Sequence, residues 1–184
     1  GEKRIEKPGI FALPLAYKSA VLFYNKDKIQ VPPKTTSELF NYMQTHTNTC
    51  ANQGKDCVQH YGMVYLNTDL FIHSTWLNGF GGYIFDNNGT IQLQNEGNAK
   101  SIEFAKKLNA YIPSGIDGGR MKSMFNDGTT DMLISGPWFM SDIDSKVNYG
   151  VTTLPMIDEP GAPANAYGTP YVTAEGIFMS RDTK

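Results

Sequence analysis

The sequence predicts an α/β fold with a central mixed sheet flanked by helices. Stretches rich in β-branched and aromatic residues alternate along the chain with stretches whose apolar residues recur at helical spacing, which is typical of α/β proteins. The 184 residues, of which 40% are hydrophobic and 18% charged, suffice for one substantial core. We find no internal repeat, so we expect a single folded lobe.

The charge balance and the hydropathy disfavour several classes of partner. A formal net charge of −2 gives no reason to expect nucleic acid or an anionic membrane as partner. No run approaches the ~18 consecutive apolar residues of a membrane span. The first residues, GEKRIEKPGI, lack the apolar centre of a signal peptide. The chain is therefore either cytosolic or derived from a longer chain whose targeting segment has been removed.

The two cysteines favour the second of these origins. Cys50 and Cys57 lie in NTCANQGKDCVQ, a polar, glycine-containing stretch that can fold back on itself as a short disulfide loop requires. Free thiols remain an alternative, as does a zinc site completed by His46 and His60, although neither CxxC nor HxxxH spacing is present. A disulfide would place the protein in an oxidising compartment.

The first third of the chain predicts two extended pieces, a helix and a strand. Residues 9–24 form two apolar runs, and because proline cannot donate to a sheet ladder, Pro14 indicates two pieces joined by a crossing segment. Residues 35–46 begin with a Thr-x-x-Glu capping box, which predicts a helix. The β-branched and aromatic residues of 58–66 predict a strand.

The middle third predicts a helix, a hairpin and a second helix. Thr68 or Asp69 can cap a helix whose apolar residues recur at helical spacing as far as Gly79. Asp-Asn-Asn-Gly at 86–89 is a strong hairpin-turn signal, and we interpret the overlapping N-glycosylation sequon as part of this turn. Residues 98–112 carry the clearest helical stripe, with an opposite charged face that we expect to be solvated.

The last third predicts two strands, a helix between them and an extended end. Pro137 favours the helix because proline is tolerated in the first helical turn. The final segment, 171–180, is expected to be extended and to break midway at Glu175-Gly176. The other predicted segments are, in order, a short amphipathic turn (120–126), a buried strand (131–135), the helix (136–143), a strand (147–154) and a long irregular loop (155–170).

Both ends of the chain contain apolar runs without an evident partner. These runs are residues 10–15 and 177–179. An unpaired apolar edge promotes aggregation. We therefore expect the two terminal runs to pair with each other or with a neighbouring molecule.

Catalytic motifs are missing from the sequence. It contains no G-x-S-x-G, no H-E-x-x-H, no phosphate-binding loop with its lysine and no dinucleotide-binding fingerprint. Nothing in the sequence pairs Asp69 with Asp131, or Glu96 with Glu103, as acid and base. His73 is expected to be a surface or hydrogen-bonded histidine rather than a general base. We expect neither a metal nor a cofactor, and enzymatic activity is disfavoured.

Several residues are suited to binding a neutral sugar. Such a ligand offers apolar C–H faces, which stack on aromatic rings, and hydroxyls, which need planar polar partners. Asp69 and Phe71 at one predicted helix start, and Trp138 at another, supply both kinds of group. The structural alternatives are an N-cap for Asp69 and a core anchor for Trp138. Three further candidates lie in the two crossing segments, where simple solvation is the alternative: Tyr17, Lys18 and Tyr171.

Five segments resemble, in order and spacing, the maltose-binding protein group of periplasmic solute-binding proteins. The Gly-Pro-Trp turn after a strand and the strand NYGV with its following Leu-Pro are together specific for this group. The collinear similarity covers about residues 11–180. The five segments are LPLAYKSAVLFYNKD (13–27), PPKTTSEL (32–39), NGFGGYIF (78–85), FNDGTTDMLISGPW (125–138) and KVNYGVTTLP (146–155).

The resemblance implies one lobe of a type II periplasmic-binding-protein fold. In that family two α/β lobes are joined by crossing segments and trap the ligand as they close. This chain corresponds chiefly to the C-terminal lobe of a protein about twice its length. The implied divisions are an N-terminal extended segment and hinge crossing (1–20), the lobe itself (21–170), and a second crossing toward the missing first lobe (171–184). Residues 15–20 and 170–174 would be the hinges.

The resemblance also assigns roles to individual residues. Asp69 falls where the family's maltose binder has a sugar-contacting carboxylate, Phe71 where it has a stacking tyrosine and Trp138 where it has a stacking tryptophan. Lys18 falls where that protein has a glutamate near the cleft. Ile72 falls where it has an aromatic ring. These two departures speak against transferring its sugar specificity unchanged.

The implied function is carbohydrate binding for an ABC importer. A maltodextrin-like oligosaccharide would be the ligand, the permease subunits would be partners, and the location would be periplasmic or otherwise extracytoplasmic. Two alternatives stay open at this point. The lobe could be an extracytoplasmic docking domain built into a transporter subunit or receptor, or a carbohydrate-active enzyme that uses Asp69 as acid or base.

Overall fold

The computed structural model describes residues 12–50 and 57–179. Within these ranges the chain forms six strands, four α-helices and one 3-10 helix. The strands are β1 (Leu13–Lys18), β2 (Val21–Asn25), β3 (Tyr61–Tyr65), β4 (Thr130–Ser135), β5 (Tyr149–Thr152) and β6 (Thr173–Ile177). The helices are α1 (Thr36–His46), α2 (Leu70–Gly79), α3 (Glu96–Asn109) and α4 (Gly118–Asn126), and the 3-10 helix spans Pro137–Asp142.

The central sheet has four strands in the order β3, β4, β2, β5. Strands β3 and β4 run parallel, whereas β2 runs antiparallel to both β4 and β5. The sheet is therefore mixed and flanked by helices, and the predicted α/β class is confirmed. Every residue of β3 and β4 is buried. Strands of this kind read in a sequence as continuous rather than alternating apolar runs.

The register of the sheet brings the ends of three strands to one edge. Tyr65 at the end of β3 pairs with Ile134 near the end of β4, and Val21 at the start of β2 pairs with Ser135. Since β3 and β4 are parallel, the segments that follow them leave the sheet at the same edge. These segments lead into α2 and the 3-10 helix, and they carry the predicted site.

Helix α2 is fixed to the core by its tryptophan. Trp76 is fully buried. Its ring makes edge-to-face contacts with Tyr65 of β3, at 6.4 Å between ring centroids, and with Phe104 of α3, at 5.0 Å. Aromatic pairs in this geometry stabilise by about 0.5–1.5 kcal/mol beyond their buried area. The first turn of α2, which holds Asp69 and Phe71, is therefore anchored to the sheet and to α3.

Side-chain caps begin the four described α-helices. In α1 the hydroxyl of Thr35 accepts a hydrogen bond from the backbone N–H of Glu38 at 3.2 Å, as predicted. The Glu38 carboxylate accepts from the N–H of Lys34 at 2.7 Å rather than from that of Thr35. The capping box thus forms with its second half shifted by one residue. The other three caps are Asp69, Asn95 and Asp117.

A polar cluster lies at the opposite edge of the central sheet, where β3 and β4 begin. The buried carboxylate of Asp131 accepts hydrogen bonds from Lys28 Nζ at 2.8 Å and from the hydroxyl of Tyr42 at 3.0 Å. It also lies 3.0 Å from His60 Nε2. Burial, reinforced by the negative charge of Asp131, raises the pKa of Tyr42. Asp131 is engaged by these partners at the edge opposite Asp69, so the structure offers no carboxylate pair from these two residues.

The two cysteines are joined to each other. Cys50 and Cys57 form a disulfide with a Cα–Cα distance of 5.9 Å, which confirms the predicted bond and rules out the free-thiol and zinc alternatives. His60, a candidate zinc ligand, instead places Nδ1 2.7 Å from the carbonyl oxygen of His46. Across the described residues, no three His, Cys, Asp or Glu side chains are grouped so that they could hold a metal ion.

Several predicted elements differ in extent or kind. The strand predicted over 58–66 is only five residues long, and the short turn predicted over 120–126 is the helix α4. The predicted hairpin forms its turn, but its arms share only one isolated bridge, between Phe85 and Ile91. The helix after Gly136 is a 3-10 helix. Element ends depend on contacts between segments, which makes them the least predictable part of a fold.

The two end strands form a separate ribbon. Strands β1 and β6 pair antiparallel in a two-stranded sheet of their own, which confirms that the terminal runs pair with each other. The predicted break at Glu175-Gly176 is wrong, because β6 runs through both residues. The irregularity lies instead between Pro14 and Ala16 of β1. Residues 10–11 of the first predicted run, and residue 180 at the end of the predicted extended segment, lie outside the described residues.

The ribbon is apolar and exposed. Leu13 and Ile177, which lie opposite each other, are 64% and 57% exposed. Leu15, Tyr17 and Phe178 are also largely exposed. Among the described helices, none has the length and apolar character needed to cross a membrane.

Candidate functional site

Asp69 shapes the start of α2. It follows β3 through a short polar loop and adopts an extended backbone conformation, as an N-cap residue does. Its Oδ1 atom accepts a hydrogen bond from the backbone N–H of Phe71 at 2.7 Å. This bond satisfies one of the free N–H groups at the helix start. The structural role predicted as an alternative is therefore present, and the exposed carboxylate keeps a second oxygen for other partners.

Trp138 follows β4 at the same edge of the sheet. Pro137 occupies the first position of the 3-10 helix, where its missing N–H is not needed. The indole ring lies back over Gly136, so closely that any side chain at this glycine would overlap the six-membered part of the ring. The ring is 43% exposed, so it is not the core anchor considered as an alternative.

Phe71 and Trp138 form one aromatic surface. Their ring centroids lie 5.8 Å apart with an angle of 62° between the ring planes, which is an edge-to-face contact. Phe71 is half-buried. Phe71 lies on α2 and Trp138 lies on the 3-10 helix. Their rings meet because the parallel strands β3 and β4, which precede these two helices, end at the same edge of the sheet. Asp69 lies two residues before Phe71 and accepts the bond from its backbone N–H, so three of the six predicted residues lie in the segments that follow β3 and β4.

The surface has the chemical features that a saccharide requires. Exposed aromatic faces can stack on the C–H faces of a sugar ring, and a carboxylate can accept hydrogen bonds from hydroxyls. Ile72, by contrast, is buried in the core. Its difference from the aromatic residue of the family's maltose binder therefore lies behind the aromatic surface rather than on it.

Tyr171 is held beside α2 by a residue that sequence analysis missed. Its backbone N–H donates to the hydroxyl of Ser74 at 2.8 Å, and its carbonyl oxygen accepts from the hydroxyl of Ser19 at 3.0 Å. Ser74 in turn donates to the carbonyl oxygen of Phe71 at 2.6 Å. No sequence signal marks Ser74, because Tyr171 is 97 residues away along the chain.

Tyr17 and Lys18 lie on the ribbon. Tyr17 is largely exposed and sits opposite Ala174. The ammonium group of Lys18 forms an ion pair with Glu175 of the partner strand. Both groups of this pair are partly exposed, so the interaction is worth at most about 1 kcal/mol. The ion pair across the ribbon was not anticipated, and it gives Lys18 a partner on the other strand of the ribbon.

A groove of about 410 Å³ lies on the other side of Asp69, between the start of α2 and α3. Phe71 and Trp138 do not line it. His73 does, and burial lowers the pKa of its imidazole below the ordinary value. Its Nε2 atom lies 3.3 Å from the hydroxyl of Ser101, so it is the hydrogen-bonded histidine that the sequence led us to expect. The full lining is Asn67, Thr68, Asp69, Leu70, His73, Ile102, Ala105, Lys106 and Asn109.

Comparison with models of protein families shows to which family the chain belongs. A family model described as bacterial extracellular solute-binding protein matches residues 5–184. The chain belongs to this family. Extracellular solute-binding proteins work outside the cytoplasm, in agreement with the disulfide and with the predicted extracytoplasmic location.

The chain resembles several curated members of the solute-binding family. It is 28% identical over 187 residues to the maltodextrin-binding protein of Bacillus subtilis, covering 95% of this chain and 43% of the relative. It is 31% identical over 165 residues to the galactooligosaccharide-binding protein of the same organism, covering 81% and 37%. A maltooligosaccharide ABC transporter solute-binding lipoprotein of Streptococcus pneumoniae is 31% identical over 159 residues, covering 80% and 37%. The chain thus spans less than half the length of these relatives.

Solved structures of the same group show the same fold. The maltose/maltodextrin-binding domain from Bdellovibrio bacteriovorus, solved with maltotriose, superposes with a TM-score of 0.78 at 24% identity. The match covers 95% of this chain and 45% of that structure. It supports the assignment of a periplasmic-binding-protein fold, of which this chain covers about half.

Proposed function

We propose that this chain is one lobe of an extracytoplasmic solute-binding protein that captures an oligosaccharide for an ABC importer. The observation that carries the proposal is the exposed contact between Phe71 and Trp138, with Asp69 two residues before Phe71 at the start of α2. A maltodextrin-like ligand is the first choice, because two of the relatives are named for maltodextrin or maltooligosaccharide. One relative is named for galactooligosaccharide, so oligosaccharides of other sugars also belong to the proposed class of ligands.

The proposed ligand wall consists of Asp69, Phe71 and Trp138, with Tyr171 at its border. Tyr17 and Lys18 lie on the ribbon, so they would contact the ligand only from that side. Each stacking contact is worth about 1 kcal/mol beyond buried area. A single lobe, with one wall of such contacts, is therefore expected to bind far more weakly than the two-lobed protein, and a micromolar site would move toward the millimolar range.

We propose the domain boundaries from the division into two sheets. Residues 21–170 would form the lobe, because the central sheet begins at Val21. Residues 1–20 and 171–184 would cross toward a first lobe, and in the described part they pair as the ribbon. The ribbon's exposed apolar side chains support this assignment, since they would be buried by the other lobe. Binding would then close the two lobes about residues 15–20 and 170–174.

The permease subunits of the importer are the proposed protein partners. The name of the Streptococcus pneumoniae relative, an ABC transporter solute-binding lipoprotein, supports this step. In this scheme the closed protein presents a surface that the open protein lacks, and the permease recognises that surface.

A docking domain is the second candidate. The observation that favours it is the exposed apolar ribbon, which a transporter subunit or receptor could cover as well as a first lobe could. An enzymatic role for Asp69 is not proposed. The relatives are named as binding proteins, and one carboxylate oxygen of Asp69 is already bonded to the start of α2.

The test is a sugar titration of the full-length parent protein. Maltose, maltotriose, a galactooligosaccharide and an unrelated monosaccharide are added while tryptophan fluorescence is followed. Within these 184 residues Trp76 is fully buried and Trp138 is partly exposed, so the response of this lobe should come mainly from Trp138. Trp138→Ala should remove this contribution to the signal and most of the affinity measured by calorimetry, whereas Trp138→Phe should remove this contribution and keep part of the affinity.

Two outcomes would count against sugar capture. The first is the absence of saturable binding of any oligosaccharide to the wild-type protein. The second is binding that Trp138→Ala leaves unchanged in calorimetry. Release of cleaved sugar that stops in Asp69→Asn would instead support a carbohydrate-active enzyme.

A further inference from the structure

We propose that the hydroxyl of Ser74 is a positioning joint that couples the aromatic pair to the crossing segment at Tyr171. The inference rests on the proposed function for its meaning, since the aromatic pair is the proposed ligand wall. The hydrogen bonds of Ser74 that define the joint are present in the structure and do not depend on the proposed function.

The hydroxyl of Ser74 makes two hydrogen bonds in different directions. It donates its only hydrogen to the carbonyl oxygen of Phe71 at 2.6 Å, three residues back in α2. It accepts from the backbone N–H of Tyr171 at 2.8 Å. Ser74 is fully buried. A single buried hydroxyl therefore joins the turn that carries Phe71 to the segment that leads into β6.

The neighbouring contacts form a docking strip along α2. The carbonyl oxygen of Thr75 accepts from the N–H of Thr169 at 2.9 Å, and the amide of Asn78 donates to the carbonyl oxygen of Thr169 at 2.9 Å. The strip ends at Tyr171, whose carbonyl oxygen accepts from Ser19 in the first crossing segment. Beyond these contacts the chain enters the exposed ribbon. Ser74 thus bonds α2 to the second crossing segment at a residue within the proposed hinge.

The mechanical consequence follows from this placement. A rotation of the ribbon pulls on Tyr171 first, and the Ser74 hydroxyl passes the displacement to the carbonyl of Phe71. Because the Phe71 ring contacts Trp138, the wall and the crossing segment move as one unit. Loss of the hydroxyl would leave the N–H of Tyr171 without its partner, and such a loss typically weakens protection from exchange about tenfold.

The experiment compares three variants of the full-length parent protein by hydrogen exchange. Ser74→Ala removes the joint, and Ser74→Thr retains a hydroxyl. Ser101→Ala is the matched control, because Ser101 is equally buried and also donates to a carbonyl three residues back, that of Asn98, at 2.8 Å. The readouts are the exchange rate of the Tyr171 amide and the acrylamide quenching of Trp138, both without sugar.

The expected result is specific to the joint. Ser74→Ala should speed exchange at Tyr171 about tenfold and increase the quenching of Trp138, and Ser74→Thr should restore both. Ser101→Ala should change neither, although it also removes a buried hydroxyl. The inference is overturned if Ser74→Ala affects Tyr171 and Trp138 no more than Ser101→Ala does, or if Ser74→Thr is as disruptive as Ser74→Ala.

A maltotriose titration separates this inference from the proposed function. If maltotriose binds, Ser74→Ala should weaken its affinity severalfold more than Ser101→Ala does, and equal effects would overturn the coupling. If no oligosaccharide binds the wild-type protein, sugar capture fails, and the sugar-free exchange and quenching data decide whether the joint exists.

Discussion

At the scale of single residues, Asp69 has two separable tasks. Its carboxylate caps α2 through the N–H of Phe71, and the residue is also exposed to solvent. Asp69→Ala should lower the free energy of unfolding by about 1 kcal/mol, because the cap is lost. Asp69→Asn should keep this stability, since an amide oxygen caps equally well. Urea unfolding of both variants checks this. Equal destabilisation by both changes would contradict the capping role.

The same pair of variants isolates the carboxylate's contribution to ligand binding. If Asp69→Asn is as stable as the wild type but binds oligosaccharide more weakly, then the negative charge acts on the ligand. If its affinity is unchanged, the carboxylate serves α2 only, and the ligand wall reduces to the two aromatic rings.

His73 makes the stability of α2 depend on pH. Burial lowers its pKa in the folded state below the ordinary 6.5. The unfolded chain then binds the proton more readily, so the stability contributed by neutral His73 is present above about pH 6.5 and is lost as the pH falls below it. Asp69 and Lys106, which line the same groove, add charges of opposite sign beside the imidazole.

The measurement is the urea midpoint of the wild type and of His73→Gln at several pH values. The wild type should lose more stability than the variant between pH 7 and pH 5, because the unfolded state binds the proton more readily than the folded state does. Between pH 8.5 and 7.5 the two curves should run in parallel, because the imidazole is neutral in both states. A larger loss in the variant at acid pH would show that the sign is wrong.

Whether the sequence reveals the role of a residue depends on how far along the chain its interaction partners lie. Asp69, Phe71 and Trp138 follow strands directly, so local pattern is enough to nominate them. Asp131 and Ser74 acquire their roles from partners far along the chain: Asp131 lies 71 residues from His60, and Ser74 lies 97 residues from Tyr171. A single sequence carries no signal for such pairs.

At the scale of elements, the disulfide stabilises the connection between α1 and β3. It joins residues seven apart. Next to it, Asn48 and His60 exchange backbone hydrogen bonds at 2.7 and 2.9 Å, so the bond holds the entry to β3. Closing a loop of this length removes chain entropy worth about 2.5 kcal/mol in the unfolded state. The double variant Cys50→Ser/Cys57→Ser should lose a large part of that stability.

Chemical denaturation with and without dithiothreitol tests this expectation. Reduction should destabilise the wild type to the level of the double serine variant and should leave the variant itself unchanged. A wild type that unfolds at the same denaturant concentration in both conditions would show that the bond does not constrain the unfolded chain.

The ends of some elements are set by contacts between residues close in the chain, and those of others by contacts between distant residues. The starts of α1 and α2 were predictable because their caps lie within three residues of the N–H groups that they satisfy, as with Thr35 and Glu38. Strand ends were less predictable because pairing sets them. In β6, pairing with β1 overrides the break expected at Glu175-Gly176, where Gly176 lies opposite Pro14.

At the scale of the whole molecule, the exposed ribbon determines how the 184-residue chain behaves by itself. Leu13 and Ile177 lie directly opposite each other and are largely exposed, as are Leu15, Tyr17 and Phe178. An apolar patch of this kind promotes association. The isolated chain should therefore show an average mass that rises with concentration in sedimentation experiments. Leu13→Lys/Ile177→Glu should reduce this rise, and its opposite charges should preserve the pairing of β1 with β6.

A control variant and the full-length parent protein test whether the ribbon, rather than exposed apolar residues in general, causes the association. Val31 is as exposed as Phe178 but lies outside the ribbon, so Val31→Lys should leave the association of the isolated chain unchanged. In the full-length parent the ribbon would be covered by the first lobe, and the double variant should then impair folding or lobe closure instead of solubility. A wild-type chain that stays monomeric at all concentrations would mean that the ribbon is protected within these 184 residues, and the proposed two-lobed arrangement would lose its main structural support.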